Sequence, residues 1–461
     1  MNDQIPAEDI ATGAYGAPEL SKSLENRHIS MIAIGGIIGA GLFVGSSTTI
    51  SQVGPAAVVS YGVAGLIIML VMRMISEMAA ALSGVQAFPD FARAGIGHWA
   101  GFLSGWLYWY FWVVVVAIEA IAGAKILSHW YPQFATWEIG VGLMALLTAV
   151  NLMSTRSYGE FEFWFSLTKV VAIVVFIAVA GAWATGMTSP EGSTFGNLTA
   201  HGGFAPNGWG GVMAAVASTI FALCGAEIST IAAAESAEPA RAVARLSVSV
   251  TVRIVVFYIL SLLMIVAVVP WQQIVPGYSP FATTLAAMQV PGGETIMNLV
   301  VLVAVLSCLN SGLYVTSRTL FNLAGHGDAP QWLVAVNRRQ VPARAILVAS
   351  LFSYGALAAE RLSPDKVFSF LLNSSGVTML LLYLMVAAAQ LRLRARFAAE
   401  GRQLQLRMWF HPFGTLFAVA AMLAVILFMA ATPDLASQFW MSLAVATAFL
   451  LGFGAMKAAR G

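Results

Sequence analysis

Glu119, Lys169 and Glu227 each interrupt an apolar run in which an ionisable side chain would have no water. Glu119 stands in VVVVAIEAIAGA, Lys169 in SLTKVVAIVVF, and Glu227 closes the string FALCGAE. A charge in such surroundings is costly unless it is paired or neutralised. Each is therefore a candidate for handling a proton or a polar substrate. The competing reading for the two glutamates is structural hydrogen bonding. For Lys169 it is a long side chain reaching back toward the aqueous boundary, the reading adopted for Lys125 near the outer end of its own segment.

Two strings offer backbone chemistry instead. GGIIGAGLFVG, from Gly35 to Gly45, holds five glycines in eleven residues. Each glycine weakens a helix by about 1 kcal/mol relative to Ala, so an unwound segment is expected. Close helix packing through small residues is the alternative. FALCGAE, from Phe221 to Glu227, is the matching interruption in the sixth apolar segment. A half-helix N-terminus presents unpaired N–H groups to a carboxylate, and freed carbonyls suit an ammonium. Paired interruptions of this kind are the best sequence pointer to a transporter site, and a zwitterion fits between them. Phe221 could close over such a ligand as an aromatic gate, although ordinary packing is the commoner role of a phenylalanine. Thr316 and Ser317 could ligate a cation, although hydroxyls bonding back to their own helix are commoner.

The elements that must position these residues follow from composition. Of the 461 residues, 59% are apolar and 10% charged. A soluble domain carries roughly 25% charged residues, so the solvent of this chain is lipid. About twelve spanning helices are read near 29–49, 54–74, 98–128, 137–153, 161–186, 212–234, 247–269, 294–320, 343–360, 367–391, 411–431 and 437–456. Seventeen Lys and Arg fall on predicted inner segments and two, Arg361 and Lys366, on outer ones. Both termini are therefore expected on the cytoplasmic side. The first 28 residues read as a cytoplasmic tail, 187–210 as a solvated outer loop without visible chemistry, and 392–410 as a basic cytoplasmic loop. The basic stretch 392–407 carries the orientation signal, with an anionic-lipid patch as the rarer reading. Glu77, Glu160, Glu162 and Glu235 read as caps and gate ion pairs at cytoplasmic helix ends.

Other function classes lack support. Net charge is +2, too small to suggest a nucleic-acid partner. Cys224 and Cys308 lie in apolar segments and read as buried thiols. The six histidines have no metal-ligand spacing, and no HExxH or Gly-Lys pair occurs. Neither an enzyme nor a nucleotide-driven pump is expected, and no cofactor or metal.

Specific strings then bring a family into view. IGGIIGAGLFVGS (Ile34–Ser46), RMISEMA (Arg73–Ala79), YGEFEFWFSLTKVVAI (Tyr158–Ile173), GAEISTIAAAES (Gly225–Ser236) and SCLNSGLYVTSRTLFNLAGHGDAP (Ser307–Pro330) occur in order along the chain. With them the chain resembles the amino acid transporter family of the amino acid–polyamine–organocation superfamily, over essentially its full length. GEFEFW and AAAES are closest to the branch that takes up 4-aminobutyrate (GABA). The resemblance implies an all-α membrane fold of two inverted five-helix repeats, 29–186 and 211–391, with helices 1 and 6 broken. Two additional helices would lie in 411–461. It implies proton-coupled import across the cell inner membrane. Its carboxylate-binding glycine segment corresponds to Gly36, Gly39 and Gly41. Its aromatic gate and broken sixth helix correspond to Phe221, Gly225 and Glu227. Its fifth-helix lysine, which stands in place of a sodium ion in proton-coupled relatives, corresponds to Lys169. With Glu119, Lys169 is the candidate for proton coupling. 4-Aminobutyrate is the leading substrate. Proline, β-alanine or a non-transporting sensor of the same fold remain open.

Overall fold

Inside a hydrocarbon layer each backbone N–H and C=O must be satisfied by the chain itself, and helices do this segment by segment. The computed structural model describes residues 27–28, 31–32, 36, 38–82, 89–225, 227–228, 254–362, 371, 375 and 377–460. Among these all regular structure is helical. A π-helical turn, Gly41–Gly45, runs into α1 (Ser46–Val53), and a 3-10 turn at Gly54–Ala56 leads to α2 (Ala57–Ala81). Then come α3 (Asp90–Gly95), α4 (His98–Trp130), α5 (Thr136–Met153), α6 (Thr155–Ala184), α7 (Asn197–Ala200) and α8 (Gly208–Leu223). A second π-helical stretch, Ile254–Leu260, leads into α9 (Ser261–Val268). The chain continues through α10 (Pro280–Ala287), α11 (Gly293–Gly325), α12 (Ala343–Glu360), α13 (Thr378–Ala399), α14 (Phe413–Ala431) and α15 (Pro433–Arg460).

Among the described residues nine helical stretches are long and apolar enough to cross a membrane. The first of them, Gly41–Ala81, turns at Gly54 and so holds two of the expected spans. Gly208–Leu223 and Val256–Val268 are shorter apolar helices at the sixth and seventh expected spans. The parts of expected spans at 29–49, 212–234, 247–269 and 367–391 that precede Gly36, follow Ile228, precede Ile254 and precede Val377 fall largely outside the described residues, as does Glu235. The most apolar stretches of α4 and α11 are 72% and 67% buried, against 11% in α15. The first two therefore form the centre, packed on each other, while α15 has most of its surface facing outward.

Several boundaries differ from expectation for identifiable reasons. Residues 392–399 continue α13 instead of starting a loop. Leu393 and Phe397 are buried there, Arg394 pairs with the buried Glu77, and the helix ends only before Gly401, which has φ +66°. The fifth span begins at Thr155, capped by the Ser154 hydroxyl accepting from Ser157 N–H at 2.9 Å, so Glu160 and Glu162 lie within the helix. The loop 187–210 is less detached than its composition suggests. Asn197 Nδ2 donates to Ala267 O at 3.0 Å, and Asn207 Nδ2 to Gln52 O at 2.6 Å. Phe204 O accepts from Ala56 N–H at 2.9 Å. These side chains and backbone groups satisfy helix ends that would otherwise be open.

A polar clasp ties α3 to the far end of α11. Asp90 accepts from Asn322 Nδ2 at 3.0 Å and lies 3.2 Å from His326 Nε2. Arg93 pairs with Asp328, and His98 Nε2 lies 2.7 Å from the other oxygen of Asp328. Burial alone would raise both carboxyls. For Asp90 it is outweighed by His326, Arg93 and Asn322, and for Asp328 by His98 and Arg93, so both sit below the ordinary range. A depressed folded pKa contributes stability that is complete above the ordinary value of about 3.9 and is lost as pH falls through the depressed value. Denaturant unfolding in detergent should therefore lose the contribution of these two carboxylates below about pH 4. Asp328→Asn should flatten that acid limb, and an unchanged limb would refute the clasp.

Candidate functional site

The first span leaves the helix at Ile38 and Gly39. Among the described residues, Gly36 N–H donates to Ile32 O at 2.9 Å, and Leu42 and Phe43 N–H donate to Gly39 O at 3.2 and 3.4 Å. Between them, Ile38 O and Ala40 N–H turn to side chains of other helices. Lys169 Nζ donates to Ile38 O at 2.9 Å, and Ala40 N–H donates to Glu119 Oε1 at 3.3 Å. A cation thus meets a freed carbonyl, and an acid meets an N–H group at the start of the π-helical turn, each matching the local backbone dipole.

The sixth span opens in the same way. α8 ends at Leu223, Cys224 is extended, and Gly225 has φ +117°, a conformation that L side chains rarely adopt. Tyr258 OH donates to the released Ala222 carbonyl at 3.0 Å. Glu227 folds its carboxylate back onto Gly225 N–H, at 3.2 and 3.1 Å, and accepts from Tyr383 OH at 3.3 Å. Glu227 is fully buried.

The two openings meet. A Cβ on Gly36 would lie 3.1 Å from Gly225 O and 3.2 Å from Ile228 Cδ1. One on Gly41 would lie 2.8 Å from Ala222 Cα. One on Gly39 would be 3.1 Å from both Glu119 Oε1 and Cys308 Sγ. Both readings of the glycine string therefore apply: the backbone opens, and its glycines also allow close approach. Phe221 is half-buried at the end of α8, its ring edge-on to Phe111 with centroids 5.6 Å apart.

Lys169 is buried, not extended toward the boundary, whereas Lys125 is exposed. Besides Ile38 O, its Nζ donates to Ser307 Oγ at 2.7 Å, and Ser307 Oγ donates to Glu162 Oε1 at 2.5 Å. Ser166 Oγ adds a donation to the same oxygen at 3.1 Å. Glu162 is thus not a helix-end cap: it is fully buried and linked through a hydroxyl to the lysine. The signal was its spacing, since seven residues is two turns and places Glu162 and Lys169 on one face of α6. Tyr258 and Tyr383 carried no comparable signal, because a tyrosine in an apolar span is ordinary core until its partner is known. Glu119 is buried, and among the described residues its Oε2 has no hydrogen-bond partner. Thr316 and Ser317 donate back to Gly312 O and Tyr314 O of their own helix, at 2.9 and 2.8 Å.

A family model described as amino acid permease matches residues 28–456. A gamma-aminobutyric acid permease of Bacillus subtilis is 45% identical, covering 89% of this chain and 88% of its own length. One of Escherichia coli is 41% identical, covering 90% of each. The aromatic amino acid transport protein AroP of Salmonella typhimurium is 35% identical over 92% of this chain and 93% of its own. In fold, the chain is similar to a manganese transporter of Eremococcus coleocola, with a TM-score of 0.55 at 14% identity over 94% of both chains. Opened first and sixth spans meeting at glycine, in an apolar multi-pass bundle that the family model matches over residues 28–456, lead to one assignment: this chain belongs to the amino acid permease family.

Proposed function

We propose that this chain is a secondary active permease of the cell inner membrane that imports 4-aminobutyrate, or a similar small zwitterionic amino acid, together with a proton. The observation that carries the reading is the meeting of the two opened spans at Gly36 and Gly225, with Lys169 Nζ on the carbonyl of Ile38. The names of the Bacillus subtilis and Escherichia coli relatives support the substrate.

In this reading the substrate carboxylate is taken by N–H groups of the segment holding Gly36, Gly39 and Gly41. The ammonium is taken by carbonyls near Gly225, and Phe221 covers the ligand. Glu227 holds the sixth-span opening in shape through Gly225 N–H and Tyr383. Lys169 couples the proton: with its proton, the charged Nζ pins the Ile38 carbonyl to α6 and α11, and without it those bonds lose their charge assistance. Glu119 senses the same segment through Ala40 N–H. Rocking of the bundle around this site alternates access. Both termini lie in the cytoplasm, in keeping with the distribution of Lys and Arg.

The test is uptake of radiolabelled 4-aminobutyrate into proteoliposomes with an inward proton gradient. Accumulation is expected to collapse with a protonophore and to be competed by unlabelled 4-aminobutyrate more strongly than by proline or β-alanine. Uptake that requires sodium and ignores the pH gradient would sink the coupling. Accumulation of a different amino acid, with 4-aminobutyrate inert as competitor, would sink the substrate assignment alone.

A further inference from the structure

The basic stretch at 392–407 has a structural counterpart that orientation alone does not explain. A cavity of about 660 Å³ opens between the turn joining α3 to α4 and the last turns of α13. Arg93, Arg392 and Arg396 line it, with Glu400 as the one acid among the described residues of its lining. Glu400 is committed to Arg396, Nε to Oε1 at 2.9 Å, four residues away. Arg392 is exposed and has no acidic partner among the described residues. Arg93 is buried and gives Nη2 to Asp328, while its Nε has no hydrogen-bond partner among the described residues.

The backbone adds to this excess of donors. Gly97 borders the cavity, and a Cβ there would meet nothing within 4 Å. It is also the N-cap of the 33-residue helix α4 and, having no side chain, caps none of the first N–H groups itself. The positive end of a long helix therefore opens beside three guanidiniums. Guanidiniums and a helix start together match a tetrahedral oxyanion in geometry and in charge.

We propose that this cavity binds a phosphate group, held by Arg392 and Arg396 beside the start of α4, and that the group belongs to the headgroup of an anionic membrane lipid. A second cavity of about 530 Å³, walled by Phe102, Trp106 and Phe449, favours a lipid over a free anion, because an apolar crevice offers room for an acyl chain. The two cavities are neighbours: Arg93 lines the first, and its partner Asp328 lines the second.

Native mass spectrometry of the full-length protein in detergent tests this, with dioctanoyl phosphatidylglycerol, dioctanoyl phosphatidylcholine and inorganic phosphate as probes. Phosphatidylglycerol adducts should be retained by the wild type and weakened about tenfold or more in Arg392→Gln/Arg396→Gln, since each basic side chain near a lipid headgroup contributes about fivefold. Ala399→Glu, which adds a carboxylate to the lining, should weaken them as well. Phosphatidylcholine should bind weakly and equally to all variants. Inorganic phosphate that binds as tightly as the lipid, with the same arginine dependence, would keep the phosphate site and overturn the lipid as its occupant. Equal loss in the charge-matched control Arg344→Gln/Lys457→Gln would mean diffuse surface attraction and overturn the site. So would binding unchanged in both cavity variants. Melting curves near that of the wild type show that a loss is local, and uptake assayed on the same preparations keeps this outcome separate from the transport reading.

Discussion

In Lys169→Ala, an inward proton gradient should no longer drive accumulation of 4-aminobutyrate, while exchange of labelled for unlabelled substrate persists. Two effects are combined in that variant, and they can be separated. Removing the ammonium leaves Glu162 buried without its countercharge and Ser307 without its donor. Breaking one side of a buried pair costs roughly 3–5 kcal/mol. That cost lowers folded yield, whereas the loss of gradient-driven accumulation is read per folded protein. Lys169→Met/Glu162→Gln removes both charges, and replacement of a whole buried pair is often close to neutral in stability. The double variant should therefore recover folded yield and melting behaviour but not gradient-driven accumulation. If the double variant also recovers accumulation, Lys169 is a structural ion pair and the proton is carried elsewhere, with Glu119 the next residue to test.

Gly41→Ala should cut 4-aminobutyrate uptake at least about tenfold, whereas Gly45→Ala, four residues on, should leave it near the wild-type rate. The two glycines share one π-helical turn. At Gly41 an added methyl would lie 2.8 Å from Ala222 Cα and 3.1 Å from its Cβ, so the backbone of α8 must retreat. Overpacking of a close contact costs about 1–3 kcal/mol, and 1.4 kcal/mol is a factor of ten. At Gly45 the nearest atom would be Ala40 O at 3.7 Å, an ordinary contact. There alanine even gains helix propensity of up to about 1 kcal/mol. Initial uptake rates in proteoliposomes, normalised to folded protein by size exclusion, read the difference. Equal rates in both variants would mean that the first and sixth spans need not approach each other this closely for transport.

The clasp and the central opening give the bundle two separate kinds of polar interior. At the centre, polar groups satisfy a backbone that has left the helix: Ile38 O, Ala40 N–H, Ala222 O and Gly225 N–H each have a side-chain partner. At the basic end, side chains pair with side chains instead: Asp90, Arg93, His98, His326 and Asp328 in the clasp, with Glu77 and Arg394 nearby on α2 and α13. Glu77 also accepts from Gln390 Nε2 at 2.6 Å and from Met408 N–H, tying α2 to α13 and to the segment leading into α14.

Composition alone places this protein in lipid, because 10% charged residues cannot cover a water-facing surface. Local sequence also located most of the spans, though not every helix end, and marked the first and sixth as interrupted, because those features rest on composition and on glycine's weak hold on a helix. It marked Lys169, Glu119 and Glu227 as costly, because burial of a charge can be read from the apolar run around it. Their partners come from distant parts of the chain and emerge with the packing of the helices. The carbonyl of Ile38 and the lysine on α6 are 131 residues apart, and Tyr383 reaches Glu227 across 156. Glu162 shows the boundary between the two sources. Its spacing from Lys169 was visible, but its burial was not, since the start of α6 depends on a cap at Ser154 and on α11 supplying Ser307. Helix formation is governed by neighbours in sequence, whereas the cost of a buried charge is settled by whichever distant helix brings its counterpart.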